Sequence, residues 1–310
     1  MLTTSVISMC MEPIDSSSIV RIVFHPATGN DKALMRARKV AAALKEHGIG
    51  FELVDTSIAE GSEIPALPNS YRALIIVGGD GLIHRMIPQM IHSTVPVGIM
   101  PAGSGNDFWR MAGHRHRDQS LEKIINYCVA GAATTSVDVI QLEFEQIADQ
   151  SPKYAIGAIS WGAEARINAA ANALPRQLGS FRYILGLLLT VPKLKGFHTT
   201  IQCGSYRFDG AALVASIANI RSLGGGIKLF PQADFSDGKL ELSLVQGSRL
   251  MPVLPLVPKI LVGANHRRKV SHVLSQAQIR TQEDCYADGE FVGKGNFDVK
   301  VLPGAIKLIC

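Results

Sequence analysis

Three glycines surround one carboxylate in the segment VGGDGLIHRMIPQM, residues 77–90. Gly78 and Gly79 precede Asp80, Gly81 follows it, and the apolar run ALIIV leads into the segment. An ordinary turn needs one glycine for a positive φ angle, or two. Three glycines around one acid indicate that the backbone itself contacts a ligand, and a glycine-rich turn with a solvated aspartate is the alternative.

A second segment, VGIMPAGSGNDFWRMAG at 97–113, repeats the pattern of apolar strand, glycine loop and helix start. Its glycine and polar residues are Gly103, Ser104, Gly105, Asn106 and Asp107. Backbone N–H groups freed by glycines, next to a helix N-terminus, form an anion site. Asp80 would repel a phosphate unless Mg²⁺ or water lies between them, and Mg²⁺ prefers hard oxygen ligands. The two loops therefore predict one shared polyphosphate site.

Further candidates for this site follow the first two predicted strands. Thr28 and Gly29 lie in the turn HPATGN at 25–30, and Thr56 ends the run FELVDT. The loops contain neither the G-K-[ST] of a P-loop nor the G-x-G-x-x-G of a dinucleotide fold. The pattern predicts a nucleotide site of another kind.

The elements that must position these loops alternate between strand and helix. Strands are predicted at 19–24, 51–56, 73–77 and 95–100, and helices at 32–48, from about Leu82, at 106–112 and at 121–130. This alternation is typical of a parallel sheet covered by helices. We predict a doubly wound α/β nucleotide-binding domain over 19–133, with ligands at the carboxyl ends of its strands.

From about Thr134 strand-like runs dominate, which predicts a mainly antiparallel β domain over 134–310, interrupted by helical stretches at 163–173, 181–191 and 251–262. Two groups of acids stand out in it. ADGEFVG at 287–293 contains Asp288 and Glu290, and PQADFSDGKLEL contains Asp234 and Asp237. By themselves both patterns are also compatible with simple turns.

Bulk properties limit the class of protein. The chain has 310 residues, of which 47% are apolar and 18% charged, so it is not disordered. The five scattered cysteines contain no C-x-x-C and favour reduced thiols. The segment 1–18 lacks a basic-then-apolar pattern, which predicts no signal peptide. The net charge of +5 is compatible with acidic partners but does not choose among them.

GGDG followed by PAGSGND resembles the catalytic domain of the soluble diacylglycerol and sphingosine kinase superfamily, and is most similar to its bacterial lipid kinases. The resemblance continues through SWGAEA (160–165), the segment 217–242 and YADGEFV (286–292). It implies an ATP-dependent lipid kinase with its active site in a cleft between the two domains.

The resemblance also assigns roles to individual residues. It implies that Glu290 is the general base, that Asp288 orients it or raises its pKa, and that Asp80 acts on Mg-ATP. It further implies a structural Mg²⁺ held by Asp234, Asp237 and the carbonyl of Lys239. The expected partners are a nucleotide and a lipid at a membrane surface rather than nucleic acid, and a homodimer is compatible with the sequence. The implied location is the cytoplasm, with peripheral attachment to a membrane.

The chain departs from the usual GGDGT pattern. Leu82 replaces the threonine, and His84 and Arg85 replace an asparagine and a glutamate two residues further on. These departures keep two alternatives open: a nucleotide- or lipid-binding homologue with impaired turnover, and, less favoured by the motifs, a small-molecule kinase similar to NAD kinases.

Overall fold

The computed structural model describes residues 19–29, 31–57, 66–113, 116–145, 151–162, 174–175, 195–223, 227–248 and 269–310. The helical stretches predicted at 163–173, 181–191 and 251–262 lie outside these residues. The chain divides into two compact units. One comprises Met1–Val137 with Ala305–Cys310, and the other comprises Asp138–Gly304.

The first unit is built on parallel strands. These are β1 (Val20–Phe24), β2 (Phe51–Asp55), β3 (Ala73–Gly78) and β4 (Val97–Pro101). They lie in the order β4-β3-β1-β2, and all pair in parallel. Strands β1, β3 and β4 are buried along their whole length, as continuous apolar runs covered on both faces must be. The predicted α/β class of this part of the chain is confirmed.

Among its described residues this unit has four helices: α1 (Lys32–Glu46), α2 (Asp80–Met90), α3 (Asp107–Met111) and α4 (Arg117–Ala130). Helix α1 buries Ala33, Ala37, Val40, Ala41 and Leu44, whose spacing puts them on one helical face. It ends before Gly48, whose φ of 68° is a left-handed helix stop that glycine adopts without strain. Helix α2 begins at Asp80, earlier than predicted, and continues through Pro88 to Met90.

The second unit is mainly antiparallel. Its strands are β5 (Thr134–Phe144), which starts in the first unit, β6 (Lys153–Ala155), β7 (Ala158–Gly162), β8 (Phe197–Cys203), β9 (Tyr206–Ala218), β10 (Ser222–Leu223), β11 (Ile227–Lys228), β12 (Leu240–Gln246), β13 (Lys269–Leu274), β14 (Gln276–Thr281), β15 (Asp284–Ala287), β16 (Glu290–Lys294) and β17 (Phe297–Ile309), which ends in the first unit.

Most of these strands form the series β16-β15-β7-β9-β8-β14-β17, with β12 and β13 branching from β9. Alternate residues of the strands point into one apolar core, which contains Trp161, Ile217, Leu244 and Phe297. The rings of Trp161 and Phe297 meet edge to face, with centroids 5.6 Å apart. The predicted strand-rich second part is confirmed.

Within the part of the chain that the structure describes, no helix is both long enough and apolar enough to cross a bilayer. Four cysteines in this part, Cys128, Cys203, Cys285 and Cys310, are free thiols. Burial raises the pKa of Cys128 to about 11 and raises the pKa of Cys285 as well. Both thiols therefore stay protonated and serve packing.

Candidate functional site

The two glycine loops of the first unit meet backbone to backbone. Strands β3 and β4 pair so that Gly78 lies opposite Pro101, and the carbonyl of Gly78 accepts a hydrogen bond of 2.7 Å from the N–H of Ala102. A Cβ atom on Gly79 would lie 2.9 Å from the Cα of Gly103, closer than side chains tolerate. The absence of side chains at both positions is what allows the loops to touch.

Asn106 shapes the second loop from within. It is buried and has a φ of 52°, a left-handed conformation that asparagine adopts more readily than most residues. Its Oδ1 accepts a hydrogen bond from the N–H of Gly103 at 3.1 Å, and its Nδ2 donates one to the carbonyl of Gly103 at 2.8 Å. The amide thus closes a ring around Gly103, while Ser104 lies exposed at the top of the loop.

Asp80 lies against the second loop, although the two loops are far apart in sequence. Its Oδ1 accepts a hydrogen bond of 3.4 Å from the N–H of Phe108. A Cβ atom on Gly105 would lie 2.8 Å from Oδ2 of Asp80 and 3.7 Å from Oδ2 of Asp107. Gly105 therefore makes room for two carboxylates. The carboxylate of Asp107 also pairs with Arg110 at 3.2 Å.

Asp80 and Gly81 form the first turn of helix α2, which runs for 11 residues. Backbone N–H groups in a first turn have no acceptor within their own helix, and they face the positive end of the helix dipole. Donors for an anion and carboxylates for a cation thus lie at one edge of the sheet. This combination suits a phosphate that arrives with a divalent cation.

The turn HPATGN, a further candidate for the site, packs against the second loop. Gly29 has a φ of 67°, and a Cβ atom there would lie 2.5 Å from the carbonyl oxygen of Ala102. The N–H of Thr28 donates to the carbonyl of His25 at 3.0 Å, which closes the turn. Thr56 is fully buried, and its hydroxyl donates to the carbonyl of Phe24 at 3.2 Å. The hydroxyl of Thr56 therefore joins the ends of β1 and β2.

In the second unit, Asp288 and Gly289 form the turn of the β15–β16 hairpin, with φ values of 50° and 90°. Positive φ at both turn residues matches the right-handed twist of a hairpin and explains the Asp-Gly sequence. The carboxylate of Asp288 accepts three backbone hydrogen bonds, from Ile156 at 2.9 Å, Gly157 at 2.8 Å and Ala158 at 3.0 Å. Its own N–H donates to the carbonyl of Ala158 at 2.8 Å.

These four bonds fasten the hairpin turn to the loop that leads into β7. Both oxygens of Asp288 are engaged by backbone N–H groups, so its carboxylate fixes this turn. Glu290 is the first residue of β16, lies opposite Ala287 in the hairpin, and is exposed. Its carboxylate is thus presented to solvent on a turn whose position is fixed.

Asp234 and Asp237 lie in the turn before β12. Oδ1 of Asp234 accepts from the N–H of Ser236 at 3.1 Å and from its hydroxyl at 2.8 Å, and Oδ2 lies 3.6 Å from Arg221. Oδ1 of Asp237 accepts from the N–H of Lys239 at 2.9 Å. Among the described residues no cluster of three or more His, Cys, Asp or Glu side chains is present. Two carboxylates and a carbonyl are the kind of hard oxygens that Mg²⁺ prefers.

Sequence reasoning missed a residue that supports this turn. Asp138 on β5 is buried, and its carboxylate accepts from the N–H of Gly238 at 2.7 Å and from that of Gly304 at 2.8 Å. Its own N–H donates to the carbonyl of Phe235 at 2.7 Å. The sequence does contain a signal for this residue, because an acid lies inside the apolar run VDVIQL. A carboxylate buried with such a strand requires hydrogen-bond partners.

A second missed residue is Arg36 on helix α1, whose guanidinium donates to the carbonyl of Pro101 at the start of the second glycine loop. Nothing in the sequence marks this arginine, because arginines on helix surfaces are usually solvated.

Comparison with known families finds matches in both parts of the chain. The profile of the diacylglycerol kinase catalytic domain matches residues 19–142. The profile of the YegS C-terminal NAD kinase beta sandwich-like domain matches residues 157–310. The two profiles together match almost the whole chain. The chain therefore belongs to the family of bacterial lipid kinases. The resemblance stated from the motifs is thereby confirmed, and the family is one of kinases.

Two relatives show how similar the sequence is to those of known kinases. A diacylglycerol kinase of Mycobacterium tuberculosis is 25% identical over 299 residues, which are 94% of each chain. The lipid kinase YegS of Escherichia coli K12 is 29% identical over 241 residues, which are 76% of each chain. The chain is thus similar to relatives named for a lipid substrate along most of their length.

Solved structures confirm the fold. A diacylglycerol kinase from Bacillus anthracis aligns with a TM-score of 0.68 at 17% identity, over 94% of this chain and 96% of that one. A yeast NADH kinase in complex with NADH aligns with a TM-score of 0.54 at 9% identity, over 93% and 82% of the two chains. At these identities the likeness concerns the fold alone.

Proposed function

We propose that the protein transfers the γ-phosphate of ATP to a primary hydroxyl of a lipid such as diacylglycerol. The observation that carries the proposal of ATP binding is the close contact between Gly79 and Gly103. A Cβ atom on Gly79 would lie 2.9 Å from the Cα of Gly103, so side chains are excluded there. Two glycine loops that touch at the ends of parallel strands leave a backbone-lined cradle, which suits phosphates. The proposal that the acceptor is a lipid is supported by the family and by the names of the relatives.

Residues of the first unit bind the polyphosphate. Phosphate oxygens accept hydrogen bonds from the backbone of Gly78 to Gly81 and of Gly103 to Ser104. Asp80 and Asp107, which both approach Gly105, would hold the Mg²⁺ that accompanies the nucleotide substrate. Phosphoryl transfer depends mostly on such positioning and charge stabilisation.

Residues of the second unit activate the acceptor. Glu290 takes the proton of the lipid hydroxyl. The oxygen of that hydroxyl attacks the γ-phosphorus, and ADP leaves. Asp288 positions Glu290 by fastening the hairpin turn to Ile156, Gly157 and Ala158. The carboxylates of Asp234 and Asp237, with the carbonyl of Lys239, would hold a structural Mg²⁺, whose contribution is to fix their turn.

The decisive experiment separates chemistry from binding. Glu290→Gln keeps the shape of the side chain but cannot accept a proton, so ATP affinity measured by calorimetry should stay unchanged. Phosphorylation of diacylglycerol in mixed micelles should fall at least roughly 100-fold, the lower end of general-base effects. Glu143→Gln, an exposed glutamate on β5, is the matched control and should keep full activity. If ATP binding falls together with the rate, Glu290 belongs to the nucleotide site instead.

A second candidate function is a binding protein with impaired turnover. It is motivated by Leu82, His84 and Arg85, which together depart from the motif of the family. ATP incubated with diacylglycerol micelles and, separately, with NAD distinguishes the alternatives. Phosphorylated lipid supports the lipid kinase, phosphorylated NAD supports a small-molecule kinase, and ATP binding with neither product supports the binding protein.

A further inference from the structure

A buried asparagine joins strand β5 to the loop that leads into β7. Asn219 follows directly after β9 and is fully buried. Its Nδ2 donates a hydrogen bond of 2.8 Å to the carbonyl of Asp138 and one of 3.1 Å to the carbonyl of Ile156. Its own N–H donates to the carbonyl of Gly157 at 2.8 Å. One residue therefore connects three segments that lie far apart in the sequence.

The side chain of Asn219 acts through its two donated bonds. Both partners are carbonyl oxygens, which only accept hydrogen bonds, so the Nδ2 atom has to face them. The Oδ1 atom is buried and has no hydrogen-bond partner within the described part of the chain. A buried acceptor without a partner costs free energy. The arrangement therefore depends on the two bonds from Nδ2, which offset this cost.

Asn219 and Asp288 bind the same short loop. The carbonyl oxygens of Ile156 and Gly157 accept from Asn219. The N–H groups of the same two residues donate to the carboxylate of Asp288, at 2.9 and 2.8 Å. The loop is thus fixed through its acceptors by one residue and through its donors by the other. Because Asp288 is held by this loop, the position of the hairpin turn depends on Asn219 as well.

The other acceptor of Asn219 belongs to an anchored part of the chain. Asp138 is 2% exposed, and its carboxylate accepts from the N–H of Gly238 at 2.7 Å and from that of Gly304 at 2.8 Å. Its own N–H donates to the carbonyl of Phe235 at 2.7 Å. Asn219 therefore attaches the loop to a residue that three further hydrogen bonds hold in place.

We infer that Asn219 is a positioning residue for Glu290. The inference rests on the proposed function, because it takes Glu290 to be the general base. Glu290 lies two residues after Asp288, and it is exposed, so its position follows that of the turn. A general base has to come within hydrogen-bond reach of the hydroxyl from which it takes the proton. The bonds that run from Asp138 through Asn219 to the loop, and from the loop to Asp288, set that position.

The test compares Asn219→Ala with wild type in kinetics and in amide hydrogen exchange. Loss of both Nδ2 bonds should lower kcat for diacylglycerol phosphorylation roughly tenfold or more, because small displacements of a catalytic group have large effects on rate. The affinity for ATP in calorimetry should stay unchanged. Amide exchange should become faster in residues 156–158 and in the hairpin residues 286–291 together. If Asn219→Ala does not fold, Asn219→Ser supplies one donor and should show the same changes to a smaller extent.

Two comparisons separate positioning from a general loss of stability. Ile201→Val removes a methylene group from the buried core of the same unit, far from these hydrogen bonds in sequence, and should lower the melting temperature without lowering kcat. In an Asp288→Asn background, Asn219→Ala should lower kcat by less than it does in wild type, because both changes release the same loop. In an Asp284→Asn background its effect should be complete.

Three results overturn the inference: an unchanged kcat in Asn219→Ala, an equal loss of kcat in Ile201→Val, or effects of Asn219→Ala and Asp288→Asn on kcat that simply multiply. Hydrogen exchange distinguishes its failure from that of the proposed function. If exchange rises in both segments of Asn219→Ala while Glu290→Gln keeps the wild-type rate, the connection between loop and hairpin stands and the assignment of Glu290 as the base fails.

Discussion

Replacing Asp288 tests whether three backbone hydrogen bonds hold the hairpin turn. In Asp288→Asn the side chain keeps its shape, and asparagine tolerates the φ of 50° found at this position. One amide oxygen can still serve Gly157 and Ala158, but the NH₂ group then faces the N–H of Ile156. That N–H loses its acceptor, and the charge that strengthened all three bonds is lost.

The size of the effect follows from these contacts. Leaving one buried donor unsatisfied costs about 1–3 kcal/mol. Ile156 is 3% exposed, so water does not readily replace the missing acceptor. We expect Asp288→Asn to lower the free energy of unfolding by about 2 kcal/mol. Asp288→Gly removes both acceptor oxygens, and with them all three hydrogen bonds, without straining the turn; it should cost about 3–4 kcal/mol, including the added flexibility of glycine.

The assay takes advantage of the tryptophan content. The chain has two tryptophans, Trp109 in the first unit and Trp161 in the second. In a Trp109→Phe background, urea unfolding followed by fluorescence reports on Trp161, which is buried and pairs with Cys285 on β15. The signal therefore follows the unit that contains the hairpin.

Asp284→Asn is the matched control, because it removes one carboxylate from the same hairpin. The ion pair of Asp284 with Lys294 is exposed, and such pairs contribute about 0–1 kcal/mol. The reasoning is refuted if Asp288→Asn is no more destabilising than Asp284→Asn. If these hydrogen bonds of Asp288 hold the hairpin turn in place, kcat for lipid phosphorylation should fall in Asp288→Asn, while the affinity for ATP stays unchanged.

Four further changes test the nucleotide loops and the cation. Asp80→Ala should abolish most ATP turnover with little change in melting temperature, and a normal rate would remove Asp80 from the mechanism. Gly105→Ala should weaken Mg-ATP binding in calorimetry, because the new Cβ would lie 2.8 Å from the Asp80 carboxylate; unchanged affinity would show that Asp80 can move away freely. Mg²⁺ should raise the melting temperature of wild type more than that of Asp237→Ala, and equal shifts would leave Asp237 an ordinary turn residue. Arg85→Glu should change ATP affinity less than threefold, since Arg85 is exposed, and a larger change would place it at the phosphates.

The α/β part of the fold could be predicted because its signals are local. Continuous apolar runs such as ALIIV indicate strands buried on both faces, and the glycines after them indicate the ligand edge. Helix starts were less predictable. Helix α4 begins at Arg117 rather than near Leu121, helped by the 3.4 Å bond from the N–H of His116 to the side chain of Gln119.

Long-range contacts of the site could not be predicted from the sequence. The partners of Asp288 lie about 130 residues earlier in the chain, and those of Asp138 about 100 or more residues later. A carboxylate in a turn is equally compatible with solvent, a metal or a backbone clamp, and only the fold decides among them. The pattern DGE thus indicated a hairpin turn without showing what the aspartate contacts.

The departure at Leu82 shows how a changed motif residue can belong to the support of a loop. Leu82 is 7% exposed, and a Cβ atom on Gly78 would lie 2.7 Å from its Cδ2. The leucine therefore occupies the space that Gly78 leaves empty and packs beneath the loop. Threonine has no δ carbon and could not fill this space, so Gly78 and Leu82 form one packing unit. Since Asp80 and Gly81 remain in the first turn of helix α2, the backbone donors of the cradle are kept, and Leu82 by itself does not argue against phosphate binding.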